Sequence, residues 1–150
     1  GLHCIHSSQE AIKKIYEIKQ RPDDFKFIHI ISSTNQLTDL GVELDSQGFE
    51  VRNLVSKLWP GPNTIIFEKD DGTTVAVRMP DNDFLKTILN ETGPLVSTSA
   101  NLHGKPPVED VESALSTFGD KIDIYIDRGK LNNPPSSIFK VEGKKIVKIR

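Results

Sequence analysis

The stretch Ser97-Thr98-Ser99-Ala100-Asn101-Leu102-His103-Gly104 crowds hydroxyls, an amide and a glycine into one short loop, directly after the apolar lead Pro94-Leu95-Val96. Short polar side chains on an accessible backbone, kept open here by Ala100 and Gly104, can grip phosphate or ribose oxygens. The same composition also builds ordinary turns, so the loop gains force from two other segments. In Lys19-Gln20-Arg21-Pro22, an arginine offers a planar fork and a lysine a compact charge, together a clamp for phosphate or carboxylate. A solvated helix end, where cations suit the helix dipole, explains the same pair equally well. Arg78 follows Val75-Ala76-Val77, a run that should be largely buried. A cation there needs an anionic partner, either an Asp or Glu of the fold or a bound carboxylate.

Other chemistries lack their residues. His3, His6, His29 and His103 match no zinc spacing, so no metal ligands are assigned. His29 follows the Lys/Arg pair in a strand, where it either points into the same cavity or is a satisfied core histidine. Ser99 has no flanking glycines and no evident base for nucleophilic catalysis. Neither a Walker loop nor Gly-x-Gly-x-x-Gly is present, so a bound nucleotide would be held some other way. Cys4 is the single cysteine, which excludes an internal disulfide and makes a reducing, cytoplasmic setting the default. With 150 residues and a net charge of −2, the chain reads as one soluble domain with no membrane span, whose surface as a whole does not attract polyanions. The Lys140, Lys144, Lys145, Lys148 and Arg150 run reads mostly as the solvated face of edge strands.

The elements that must carry these residues are readable from pattern. Ser7 through Glu10 resembles a capping box opening a helix through Ile18, stopped by Pro22. Phe49 to Leu58 predicts a second helix, with Phe84–Leu89 and Val111–Leu115 shorter ones. Strands are predicted over Phe25–Ile31, Thr64–Glu68, Thr73–Met79, Leu95-Val96, Ile122–Ile126, Ser137–Val141 and Lys145–Ile149. Asp70-Asp71-Gly72 and Glu142-Gly143 mark tight hairpins. Helices interleaved with strands, plus two antiparallel hairpins, predict an α/β fold with a mixed parallel and antiparallel sheet and helices packed on it.

Five segments in order resemble one family, the YrdC-type threonylcarbamoyl-adenylate synthases. They are Ile15–Pro22, Trp59-Pro60-Gly61-Pro62-Asn63-Thr64, Val75–Pro80, Ser99-Ala100-Asn101 with Gly104-Lys105-Pro106, and Ser136-Ser137-Ile138 with Arg150. The resemblance implies a twisted mixed sheet with a concave basic pocket. It implies that L-threonine, bicarbonate and ATP, with Mg²⁺, are combined into threonylcarbamoyl-AMP and pyrophosphate for a tRNA modification. Lys19 and Arg21 would face the ATP phosphates and the carbamate. Thr74, Ser99, Asn101 and Arg150 would hold the nucleotide. Arg78 would pair with the threonine carboxylate, and His29, Ser97 and Ser136 would help hold threonine. Partners would be tRNA or a threonylcarbamoyl-transferase complex.

The chain departs from the family pattern in places. It opens at Gly1-Leu2, which resembles the end of a Pro-Thr-x-Thr-x-Tyr-Gly-Leu segment, so a preceding strand and threonine loop are expected to be missing. Phe25-Lys26 stands where Asn-Pro is common. Two competing readings are a non-catalytic RNA-binding module of the same fold and a carbamoyl-transfer domain. The first is disfavoured by acidic charge and few aromatics, the second by the lack of zinc-finger cysteines.

Overall fold

Two tight turns decide the character of the sheet. At Asp71-Gly72 the aspartate Oδ1 accepts from the Thr73 N–H at 2.8 Å and the Thr73 hydroxyl at 2.6 Å, and Gly72 takes φ 76°. This folds β3 (Asn63–Glu68) back on β4 (Thr74–Arg78) as an antiparallel pair. Gly143, at φ 61°, does the same for β6 (Ser137–Glu142) and β7 (Lys145–Lys148). The computed structural model describes residues 1–22, 26–69, 71–130 and 134–150.

Three further strands complete the sheet, β1 (Leu2–Ile5), β2 (Ile28–Ile30) and β5 (Leu95–Thr98). The order is β1-β5-β2-β4-β3-β6-β7. The β2–β4 and β3–β6 contacts are parallel and the others antiparallel, so the sheet is mixed as expected. The predicted strand over Ile122–Ile126 does not form. It has alternating polarity but joins no ladder, and Ile124 is 76% exposed. Without a neighbouring strand, alternation alone cannot satisfy the backbone as a sheet. Conversely, β1 forms where no strand is predicted, and two 3₁₀ segments, Thr34–Leu40 and Leu44–Gln47, fill a stretch without predicted elements. Phe25 and Asp70, each at a predicted element boundary, lie outside the described residues.

The helices follow their sequence signals. α1 (Gln9–Lys19) is capped by Ser8, whose hydroxyl accepts from the Ala11 N–H at 3.2 Å, one residue later than the predicted Ser7 cap. The cause is a turn in which the Ser8 N–H donates to the Ile5 carbonyl, which leaves Ser8 extended. α2 spans Phe49–Leu58 as predicted and buries Val51 and Val55. α3 (Asp83–Thr92) and α4 (Val111–Phe118) run longer than expected, each with a side-chain cap, Asn82 and Asp110.

Strand alternation gives the sheet two unlike faces. Register places Val96, His29, Val77 and Ile65 side by side on one face. There α1 packs Ile15 against Val96 and Phe27, and α2 packs Val51 and Val55 against Ile65, Phe67 and Val77. The second face carries Ser97, Ile28, Ala76 and Ile66 in one row and Leu95, Ile30, Arg78 and Thr64 in the next. α3 covers Ile30 and Leu95 there through Leu85, Ile88 and Leu89. Ser97, Ile28, Ala76 and Ile66 stay only half-buried. Among the described residues no helix is long and apolar enough to cross a membrane.

Candidate active site

Most of the predicted site residues fall into two groups, one at the end of α1 and one around Arg78 on the second face. The first forms where α1 ends against the loop after β5. Gln20 caps α1 in the left-handed conformation, φ 52° and ψ 44°, and its N–H donates to the Glu17 and Tyr16 carbonyls. The reversal separates its neighbours. Lys19 turns inward and is 2% exposed, so it is not a solvated helix end. Its ammonium donates to Ser99 O at 2.6 Å, Asn101 O at 2.8 Å and Asn101 Oδ1 at 2.8 Å. Three donors meet three acceptors, so the ammonium is tied to the loop after β5. Burial, then the nearby Arg21 charge, lowers its pKa to about 8. Arg21 instead lies over the Phe27 ring, 5.4 Å from its centroid.

The loop is closed on itself. Asn101 Oδ1 also accepts from the Ser99 hydroxyl, and Asn101 Nδ2 donates to Lys105 O at 2.6 Å. The His103 N–H ties the loop to Lys19 O at 2.8 Å. The side chains of Ser99 and Asn101 therefore shape the loop before they touch anything else.

The second group surrounds Arg78. Thr64 on β3 is its register partner across the hairpin. Thr64 Oγ1 and Ser136 Oγ are 2.7 Å apart, with Thr64 at 0% and Ser136 at 6% exposure. Arg150 Nη2 donates to Ser136 O at 3.1 Å. The Arg78 Nε donates to Gly61 O at 3.2 Å, which leaves the terminal nitrogens of its guanidinium for other contacts. The Trp59–Pro62 turn is thus the mount for Arg78. Its bond is cis at Trp59-Pro60, the Gly61 N–H donates to Met79 O at 2.8 Å, and Trp59 Nε1 donates to Asn63 O at 2.8 Å. A Cβ at Gly61 would stand 3.1 Å from Leu58 O, which favours glycine there.

Arg78 is half-buried, and burial lowers its pKa. No Asp or Glu among the described residues forms an ion pair with it. Of the two kinds of partner that a cation in this strand could take, a carboxylate of the fold is therefore not the one observed among the described residues. A half-buried guanidinium beside two hydroxyls is a receptor for a carboxylate or phosphate.

Ser97 lies between the two groups in register, beside Ile28, with Ala76 beyond it. Thr74 begins β4 and accepts from Lys26 Nζ at 3.2 Å, so Lys26 adds a cation that sequence reasoning does not assign. Sequence reasoning also misses Thr64; its signal is a hydroxyl placed to pair with Arg78 once the hairpin register is known.

His29 leaves β2 on the other side of the sheet. It shares its face with Val77 and Val96, opposite Arg78, and its ring packs edge-on against His6 at 5.2 Å. Burial chiefly, then the His6 charge, lowers its pKa to about 4. The two-residue side-chain period of β2 keeps it out of the Arg78 group.

An α/β domain with a mixed sheet, helices packed on both of its faces and a cation-and-hydroxyl cluster around Arg78 is the class these observations define. The Sua5/YciO/YrdC family model, described as telomere recombination, matches residues 1–150, and the chain belongs to that family. It is 33% identical to the threonylcarbamoyl-AMP synthase of Vibrio campbellii over 99% of this chain and 85% of that protein. It is 34% identical to the Pyrococcus abyssi threonylcarbamoyl-AMP synthase over 87% of this chain but 40% of that longer protein. P. abyssi Sua5 complexed with L-threonine superposes with a TM-score of 0.80 at 30% identity, covering 95% of this chain and 44% of that one. The E. coli YciO structure, at 22% identity and a TM-score of 0.80, shares the fold.

Proposed function

We propose that this chain is a threonylcarbamoyl-AMP synthase, converting L-threonine, bicarbonate and ATP into threonylcarbamoyl-AMP and pyrophosphate. The observation that carries this reading is Arg78, a half-buried guanidinium beside the Thr64–Ser136 hydroxyls with no carboxylate partner among the described residues. The P. abyssi relative complexed with L-threonine supports an amino acid as the ligand of this site. Arg78, Ser136 and Ser97 hold threonine in this reading. Thr74, Ser99, Asn101 and Arg150 hold the nucleotide, with Arg21 directed at its phosphates. Lys19 acts by bracing the Ser99–Asn101 loop.

The chemistry asks for positioning and charge neutralisation. The threonine amine adds to bicarbonate with loss of water to give a carbamate. A carbamate oxygen attacks the α-phosphorus of ATP, and the bond to the bridging oxygen of pyrophosphate breaks. No protein nucleophile is needed, and alignment of reactants can be worth up to about 7–11 kcal/mol of a barrier. Mg²⁺ enters with the triphosphate as part of the substrate. The product then passes to a tRNA-modifying transferase in the cytoplasm.

The test is pyrophosphate release from the purified chain. The reading requires release that depends on threonine, bicarbonate and ATP together. Release that ignores threonine, or none above background, would sink it.

A further inference from the structure

The Thr64–Ser136 pair has a direction that burial fixes. Each hydroxyl carries one hydrogen, and one of the two oxygens donates to the other. Among the described residues, Ser136 Oγ is the hydrogen-bond partner of the fully buried Thr64 hydroxyl. Were Ser136 the donor, the Thr64 hydrogen would be sealed away without an acceptor, an arrangement folded proteins avoid. Thr64 is therefore the donor and Ser136 the acceptor. Ser136, which keeps 6% exposure, has its own hydrogen left to give outward. A serine left with only its hydrogen to give, beside the register partner of Arg78, offers a directed donor to a substrate oxygen.

We propose that Thr64 is a positioning residue for amino-acid binding: it sets the polarity of the Ser136 hydroxyl so that Ser136 and Arg78 together take the substrate carboxylate. The assignment rests on the threonine reading of the site. It adds a requirement the Arg78 charge does not contain, because a guanidinium attracts any anion while a polarised hydroxyl adds a directed donor. The backbone of β3 holds Thr64 rigidly, and the Arg150 contact to Ser136 O steadies the other side.

The experiment compares wild type, Thr64→Val, Thr64→Ser and Ser136→Ala by calorimetric titration with L-threonine, alongside pyrophosphate release and a thermal melt. Thr64→Val keeps the shape and removes the donor. It is expected to weaken threonine binding about tenfold, with the KM for ATP within twofold of wild type. Thr64→Ser restores the donor and should restore binding. In a Ser136→Ala background, Thr64→Val should weaken binding no further. Threonine affinity unchanged in Thr64→Val, Thr64→Ser as impaired as Thr64→Val, or additive losses in the double variant would each overturn the assignment. If Thr64→Val does not fold, Thr64→Cys replaces it, a weaker donor of similar size, and unaltered threonine affinity there also overturns it. Wild type that binds threonine yet releases no pyrophosphate refutes synthesis alone and leaves the affinity series to judge Thr64. Wild type that binds no threonine refutes both.

Discussion

Lys19 is the more deeply buried of two cations, yet Arg78 is the one left with capacity for a ligand. The Lys19 ammonium meets three acceptors from a loop 80 residues away, all within 2.8 Å. Its charge is absorbed in closing the Ser99–Asn101 loop on the end of α1. Arg78 makes one backbone contact through Nε, and among the described residues it has no carboxylate partner. Burial alone therefore does not mark a functional cation; what separates the two groups is whether the donors are already matched.

Arg78→Ala should break the contrast most sharply. Removing a charge-assisted carboxylate partner should lower kcat/KM for threonine by about a hundredfold to a thousandfold. The melting temperature should hold, because among the described residues no ion pair is lost. A parallel loss of folding would place Arg78 with Lys19 as a structural cation. Lys19→Met should behave in the opposite way. It strands two carbonyls and an amide oxygen, so urea unfolding should show a loss of about 3 kcal/mol. Unchanged stability would mean that the loop holds without its brace.

The pH dependence sharpens the same contrast. The Lys19 pKa of about 8 lies below the ordinary lysine value of 10.5. Turnover should fall as pH rises through about 8, because the neutral amine has one donor fewer and no charge. Stability should move the other way in that window. Between about 8 and 10.5 the unfolded chain binds the Lys19 proton more strongly than the native one, so this group's contribution to unfolding free energy rises with pH. An alkaline loss of both together would point to another group. The smallest expected effect is at Lys26, an exposed cation beside Thr74. Lys26→Ala should raise the KM for ATP less than fivefold, and added salt should shrink the difference. A salt-independent change would remove Lys26 from the nucleotide end.

Local signals are the legible part of this chain. The Phe49–Leu58 helix and both hairpins can be read because periodicity, proline and turn residues act within a few positions. The Ile122–Ile126 segment misleads because alternation says nothing about whether a neighbouring strand exists. The 3₁₀ segments are invisible because they lack a repeating apolar stripe. In the site, residue types at Ser99, Asn101, Arg21 and Arg78 draw notice. Their relations do not, since Lys19 meets its acceptors across 80 residues and Thr64 finds Ser136 across 72. His29 draws notice by its sequence proximity to Lys19 and Arg21, but that proximity carries no information on which side of a strand a side chain leaves. Thr64 looks like any β-branched strand residue until register sets it against Arg78.

The left-handed dihedral at Gln20 has a consequence for how this segment could change over time. A helix advances about 100° per residue, so one inserted or deleted position before Gln20 would rotate a different side chain toward the loop that Lys19 now fills. The fold would then entomb the wrong group and expose the brace to water. Lys-x-Arg is thus a spacing locked by geometry rather than a tally of positive charge, and swapping the two residue types should be far more damaging than their shared charge suggests.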